Sequence, residues 1–202
     1  MANLFKIFPL VLLLSITFSC NRGKEIGGFY LTEEMKSQIP FKGHETISFV
    51  DNNGEIFTFS GGYRVTQEIE VTECISCYDY YVFEEVLINF NNELDEIRLI
   101  IRASYESYLR IRFTFDRHVF GTGFSSPLSP ENLKDQECFI DSITINNTNY
   151  YDVYKDTMYC QESLTLTKYP IYSYYSIEYG VLKIDFSDNT CWELNNTKRL
   201  EK

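Results

Sequence analysis

The chain has 202 residues, 29 of them acidic and 18 basic, for a formal net charge of −11 at pH 7. That balance excludes nucleic acid and anionic lipid headgroups as principal partners, because both demand positive potential. The length supplies one domain with a core of its own.

In chain order the first element is a leader with one early cation, Lys6, followed by the apolar run Ile7 to Phe18. The run is shorter than the roughly 20 residues that a spanning helix needs, so it reads as an export signal. Thr17, Phe18 and Ser19 then put a small residue directly before Cys20, whose thiol can take a diacylglycerol. This resembles the relaxed lipobox of Bacteroidetes-type lipoproteins, with Thr17 where the more widespread form has Leu. The resemblance implies cleavage after residue 19, a lipid on Cys20 as the link to the membrane, and residence in the bacterial cell envelope, at the outer membrane. Two acyl chains anchor a protein stably, whereas one does so only marginally. Residues 20–202 carry 29 acidic against 17 basic side chains, a net charge of −12.

Residues 20–41 are expected to form a tether and a short helix, with Thr32 as cap, Glu33 and Glu34 in its first turn and Pro40 beyond its end. Residues 42–202 are expected to form a single β-rich domain. Strands at 46–50 and 55–60 flank Asp51-Asn52-Asn53-Gly54, a hairpin signal because Asn and Gly tolerate positive φ. Gly61-Gly62 leads into a strand at 63–73. The strand at 80–90 turns at Asn91-Asn92-Glu93 into one where Ile97, Leu99, Ile101 and Ala103 alternate with Arg98 and Arg102. Leu109, Ile111, Phe113 and Phe115 alternate likewise with Arg110, Arg112 and Thr114, so one face is core and the other carries arginine. Residues 121–137, with Pro127 and Pro130, read as a long loop. Strands resume at 138–145, turn at Asn146-Asn147-Thr148, and continue at 150–155, 163–167, 173–178, 181–186 and 191–194. Nine to eleven strands and one short helix predict a mainly β fold, an antiparallel β-barrel or β-sandwich.

The ending Tyr179-Gly180, then Val181 to Phe186, a polar turn and Trp192-Glu193-Leu194, resembles one common in small uncharacterised lipoproteins of Bacteroidetes. Ile39-Pro40-Phe41 leading into Ile47-Ser48-Phe49 and Asn53-Gly54 resembles their beginning. The likeness covers both ends and only loosely the middle, and it brings no activity with it. Asp141-Ser142-Ile143 and Asp156-Thr157-Met158 are similar to the Bacteroidetes O-glycosylation pattern. Thr157, nearer a turn, is the better acceptor; Ser142, within a strand, needs a solvent face.

After Cys20, five cysteines remain: Cys74, Cys77, Cys138, Cys160 and Cys191. An exported compartment permits disulfides among them, and an odd number leaves one thiol over. Strand-like flanks make Cys74-Ile75-Ser76-Cys77 a structural disulfide, closed on itself or pairing outward, rather than a redox dithiol at a helix start. No metal site is expected, since His44 and His118 are the only histidines and the thiols are widely spaced. The sequence calls for no cofactor and has neither a Gly-x-Ser-x-Gly elbow nor a phosphate-cradling glycine loop. Arg98, Arg102, Arg110 and Arg112 form a candidate grip for a carboxylate or an acidic glycan, or else pair with neighbouring glutamates such as Glu84. Tyr169, Tyr172, Tyr174, Tyr175 and Tyr179 cluster late in the chain, and Tyr172 and Tyr174 are candidate contacts at a protein or sugar interface. The expected function is a noncatalytic envelope lipoprotein that binds or scaffolds another envelope component, a protein or a glycan. The alternatives are a barrel for a small ligand, or a carboxylate-dependent hydrolase.

Overall fold

The computed structural model describes residues 23–72, 79–128, 138–160 and 166–198. Cys20, Cys74 and Cys77 lie outside them, as does most of the strand expected at 163–167. Backbone packing groups Met1–Gly28 with Glu70–Val82 as one unit and Phe29–Ile69 with Phe83–Lys202 as another. In the smaller unit, β1 (Glu25–Phe29) pairs with the start of β5 (Tyr80–Asn91). There the Lys24 amide donates to Asp79 Oδ1 at 3.0 Å, and the Tyr80 amide donates to the Lys24 carbonyl at 3.1 Å.

The larger unit is built on antiparallel strands. They are β2 (Thr46–Asp51), β3 (Ile56–Gly61), β4 (Val65–Thr72), the remainder of β5, β6 (Glu96–Arg102), β7 (Tyr108–Phe115) and β8 (His118–Ser125). After them come β9 (Phe139–Ile145), β10 (Thr148–Thr157), β11 (Tyr159–Cys160), β12 (Pro170–Ser176), β13 (Gly180–Phe186) and β14 (Cys191–Lys198). The sheet order is β11-β8-β7-β6-β5-β3-β2-β14-β13-β12-β10-β9. The strands added to the expected set are β1, β8 and the two-residue β11. The β7–β8 turn places Asp116 and Arg117 at φ 46° and 68°, the paired positive angles of a tight hairpin, at residues that signal it weakly. The expected turn at Asn146-Asn147 has φ 48° and 63°, and Asp51 Oδ1 accepts from the amides of Asn53 and Glu55 in the β2–β3 turn.

Alternation puts Ile97, Leu99, Ile101, Leu109, Ile111 and Phe113 in the core at no more than 1% exposure. In a flat sheet β7 and β14 would stand five strand spacings apart, about 24 Å at ~4.8 Å each. Yet the Phe113 ring lies 5.5 Å from that of Trp192, which itself lies 5.2 Å from Phe186 and 4.4 Å from Phe57. The sheet is therefore folded over on itself around an aromatic core, a sandwich architecture with one short helix. Its two ends approach where Thr122 on β8 hydrogen-bonds Asp156 on β10 and Phe124 packs 6.1 Å from Tyr154.

The helix α1 (Glu33–Ser37) forms as its cap predicts, with Thr32 Oγ1 accepting from the Met35 amide. A helix end leaves carbonyls without donors. Here Arg64 donates to the carbonyls of Lys36, Ile39 and Phe41 at 2.6–2.8 Å, and Tyr175 Oη donates to that of Gln38 at 2.6 Å. This fixes Ile39 and Phe41 in the core, each 1% exposed. Phe41 covers Gly180, whose φ of 82° suits glycine and where a Cβ would collide with the Phe41 ring.

Candidate functional site

The four arginines share the outward face of β6 and β7, because positions two apart on a strand point the same way. Register places Arg98 opposite Arg112, Ile100 opposite Arg110, and Arg102 opposite Tyr108. The β6 arginines are neutralised. Arg98 donates to Asn89 Oδ1 at 2.8 Å and pairs with Glu96 at 2.9 Å, while Arg102 grips Glu85 Oε2 through Nε at 2.8 Å and Nη2 at 2.5 Å. The glutamate in reach is Glu85 rather than Glu84, since neighbouring residues face opposite sides. Glu84 turns the other way, to Lys36 at 2.8 Å and the Leu31 amide at 2.8 Å.

The β7 arginines differ. Arg110 lies over the Tyr108 ring at 5.0 Å, and neither it nor Arg112 has a carboxylate partner among the described residues. Burial lowers the proton affinity of Arg112, and the charges of Arg110, Arg98 and Arg102 lower it further. Across β7–β8, Arg110 stands opposite Gly123 and Arg112 opposite Gly121. Neither glycine has positive φ, and a Cβ on either would meet only ordinary contacts, at 3.6 Å from the Ile111 carbonyl oxygen and 3.7 Å from that of Leu109. Backbone geometry thus does not require glycine there. The consequence of having it is an open groove of about 680 Å³ beside the two guanidinium groups, with Tyr108, Tyr159 and Glu106 on its walls. Tyr159 is 67% exposed and pairs with Gly121 from β11. The groove can hold an anion in charge-assisted, bidentate hydrogen bonds.

The late tyrosines do not assemble into one surface. Tyr175 is fully buried, and Tyr174 is 7% exposed with its hydroxyl donated to Asp185 at 2.8 Å. Burial first, then this bond, pushes the Tyr174 phenol well above its ordinary pKa. Lys155 sits 4.1 Å above the Tyr172 ring and 5.4 Å from that of Tyr174. Lys183 pairs with Asp185 at 3.3 Å and Glu193 at 3.6 Å. Tyr179 belongs elsewhere, in a smaller groove of about 380 Å³ with Tyr150 and Tyr151, two residues outside the late cluster. Of the two glycosylation candidates, Ser142 is exposed on β9, whereas Thr157 is half-buried at the end of β10 opposite Tyr172.

The expectation of disulfides among the described cysteines is overturned. Cys138, Cys160 and Cys191 are thiols. Cys138 leads into β9 and Cys160 lies on β11, at opposite ends of the strand order, with Cys191 on β14 between. A disulfide needs its two sulfurs about 2.05 Å apart, and no two of the three described thiols are bonded so. Burial raises the pKa of the Cys138 and Cys191 thiols. Among the described residues no group of three or more His, Cys, Asp or Glu side chains is placed to hold a metal ion. Comparison of the chain with protein-family models, curated proteins and solved structures finds no match.

Proposed function

We propose that this chain is a noncatalytic lipoprotein of the bacterial cell envelope, anchored at the outer membrane through Cys20, whose β domain binds an anionic envelope component in the Arg110–Arg112 groove. The leader and the residues before Cys20 support the location. The observation that carries the binding role is the pair Arg110 and Arg112, both half-buried, without carboxylate partners among the described residues, and facing a groove kept open by Gly121 and Gly123. On a chain of net charge −11, such a local cation site selects anions by proximity while the surrounding surface repels them. Among the described residues the groove lining contains one carboxylate, Glu106, and neither histidine nor cysteine. It therefore supplies neither paired acids nor a nucleophile with its base.

Two experiments test the reading. Palmitate labelling should mark the wild-type chain and fail on Cys20→Ser, which should leave the membrane fraction; persistence of the variant in that fraction would sink the anchoring. Crosslinking in the native envelope should give adducts that Arg110→Glu/Arg112→Glu loses. Identical adducts from the doubly substituted, folded protein would remove the groove from the function.

A further inference from the structure

Alternation and register fix which side chains face the groove. Arg112, Gly121 and Tyr159 form one cross-strand row, Arg110 and Gly123 the next, and Tyr108 and Ser125 the third, all on the outer face. β7 is in register with β6 on one side and with β8 on the other without a shift, so its backbone groups are engaged within the sheet. A ligand lying on this face is therefore held by side chains, and a peptide finds no ladder along β7 to join. In the first row Arg112 and Tyr159 rise on either side of Gly121, their backbones two strand spacings apart, about 9.6 Å at ~4.8 Å each. A ring in van der Waals contact with a wall on each side, at ~3.5–4.0 Å, needs about 7–8 Å between the walls. Gly121 puts no side chain into that space, and Tyr159, 67% exposed, presents its ring to whatever enters it.

Resting on the Arg110–Arg112 groove as the anion-binding surface, we propose that its ligand is a largely neutral glycan bearing an isolated carboxylated sugar of the hexuronate type. The carboxylate is held by Arg110 and Arg112, and the pyranose ring lies against Tyr159 over Gly121. A guanidinium supplies donors alone, in a fork that matches a carboxylate. The C–H groups on a pyranose face are weakly positive and meet the negative face of a phenol ring. The hydroxyls of a sugar both donate and accept, as do those of Tyr108 and Ser125 on the third row. Net charge sets how densely the ligand can be charged. The chain carries −11, and the groove offsets about two negative charges with its two cations. A nucleic acid or a heavily sulfated glycan carries a charge every few ångströms and is repelled by the surface beyond the groove, whereas a glycan with one carboxylate among neutral sugars is attracted at that carboxylate and indifferent elsewhere. An acidic peptide can offer a carboxylate to the arginines, but its backbone amides find no backbone partners on this face.

The test uses the full-length protein in detergent micelles and a panel of neutral oligosaccharides, each bearing one hexuronate and each also in carboxyl-reduced form. Heparin serves as the dense polyanion, and end-capped hexapeptides with one Asp or Glu serve as the peptide probe. Members of the panel should bind, and their reduced forms at least tenfold more weakly. Arg110→Gln/Arg112→Gln should weaken binding at least tenfold and Tyr159→Ala about fivefold or more, with Tyr159→Phe and all thermal midpoints near wild type. Equal binding of acid and reduced forms would overturn capture of the carboxylate, and unchanged binding by Tyr159→Ala would overturn the stacked ring. Arginine-dependent binding of heparin or of the acidic peptides without binding of the oligosaccharides would overturn the inference and leave the anion-binding groove standing. Binding of no anion would overturn both.

Discussion

The outer surface of β7–β8 and that of β10–β12–β13 are made of the same ingredients, two cations among tyrosines on a pleated sheet, and end in opposite states. On the second surface, one cross-strand row runs Lys155, Tyr174, Lys183, Glu193 and the next runs Thr157, Tyr172, Asp185, Cys191. Every strand contributes a side chain, so the lysines lie over rings and carboxylates and the surface is closed. On the first surface the rows run Arg98, Arg112, Gly121, Tyr159 and Ile100, Arg110, Gly123. Glycine stands where the other surface has a carboxylate or a ring, and the cations keep their hydrogen-bonding capacity. What separates an open surface from a closed one here is the residue one strand away from the charge, since cross-strand pairs are the unit of sheet stabilisation.

Breaking that comparison begins with its glycines. Gly180→Ala should cost about 3 kcal/mol or more, because positive φ and the Phe41 ring both oppose a Cβ; urea unfolding measures it, and a loss under 1 kcal/mol would contradict the fixed seat of Phe41. Tyr174→Phe should cost about 1–2 kcal/mol by leaving Asp185 without its buried donor. The same substitution sharpens the alkaline limit of the closed surface. The Tyr174 phenol is raised above its unfolded value, and Lys183, though burial alone would lower it, is raised by Asp185, Cys191 and Glu193 together. Raised groups stabilise below their unfolded pKa values and lose that contribution as pH climbs through the folded ones. Stability should therefore be level from about pH 7 to 8, begin to fall near pH 9 as the raised thiols of Cys138 and Cys191 pass their unfolded value, and fall more steeply above about pH 10, where Tyr174→Phe should be shallower by up to about 1.4 kcal/mol per pH unit. An unchanged slope in the variant would contradict the raised phenol.

On the open surface the expected effects are smaller and of opposite sign. Gly123→Ala should raise stability by about 0.4–1 kcal/mol, as restricting the unfolded chain does where the native backbone accepts a side chain. Arg112→Gln should leave stability within about 0.5 kcal/mol of wild type or raise it, since it removes a charge crowded by three other arginines. Calorimetry of the two variants decides the point; destabilisation beyond 1 kcal/mol in Arg112→Gln would mean that the guanidinium holds the fold together.

Much of the architecture was legible in local pattern. The alternation of residues 96–102 and 108–115, the turns at Asp51-Asn52-Asn53-Gly54 and Asn146-Asn147, and the Thr32 cap each depend on a few adjacent residues, and each appears where those residues place it. The arginine face was legible for the same reason. β8 was not, because Gly121 and Gly123 carry the composition of a loop and the turn before it uses Asp116-Arg117. The choice of Glu85 over Glu84 follows from strand phase, which becomes clear only once the register is known. The grouping of Tyr179 with Tyr150 and Tyr151 joins residues about 30 positions apart in sequence and had no local signal.

The sequence by itself determined the strand content, the short helix, the phase of the core and the presence of four arginines on one face, because periodicity and turn preference act over a few residues. Tertiary structure alone decided which two arginines keep their charge unpaired among the described residues, that Tyr174 is buried, and that Cys138, Cys160 and Cys191 remain thiols. These depend on which strands become neighbours across the folded sheet, and that is fixed by packing around Phe113, Phe186 and Trp192, residues whose contacts span the length of the domain.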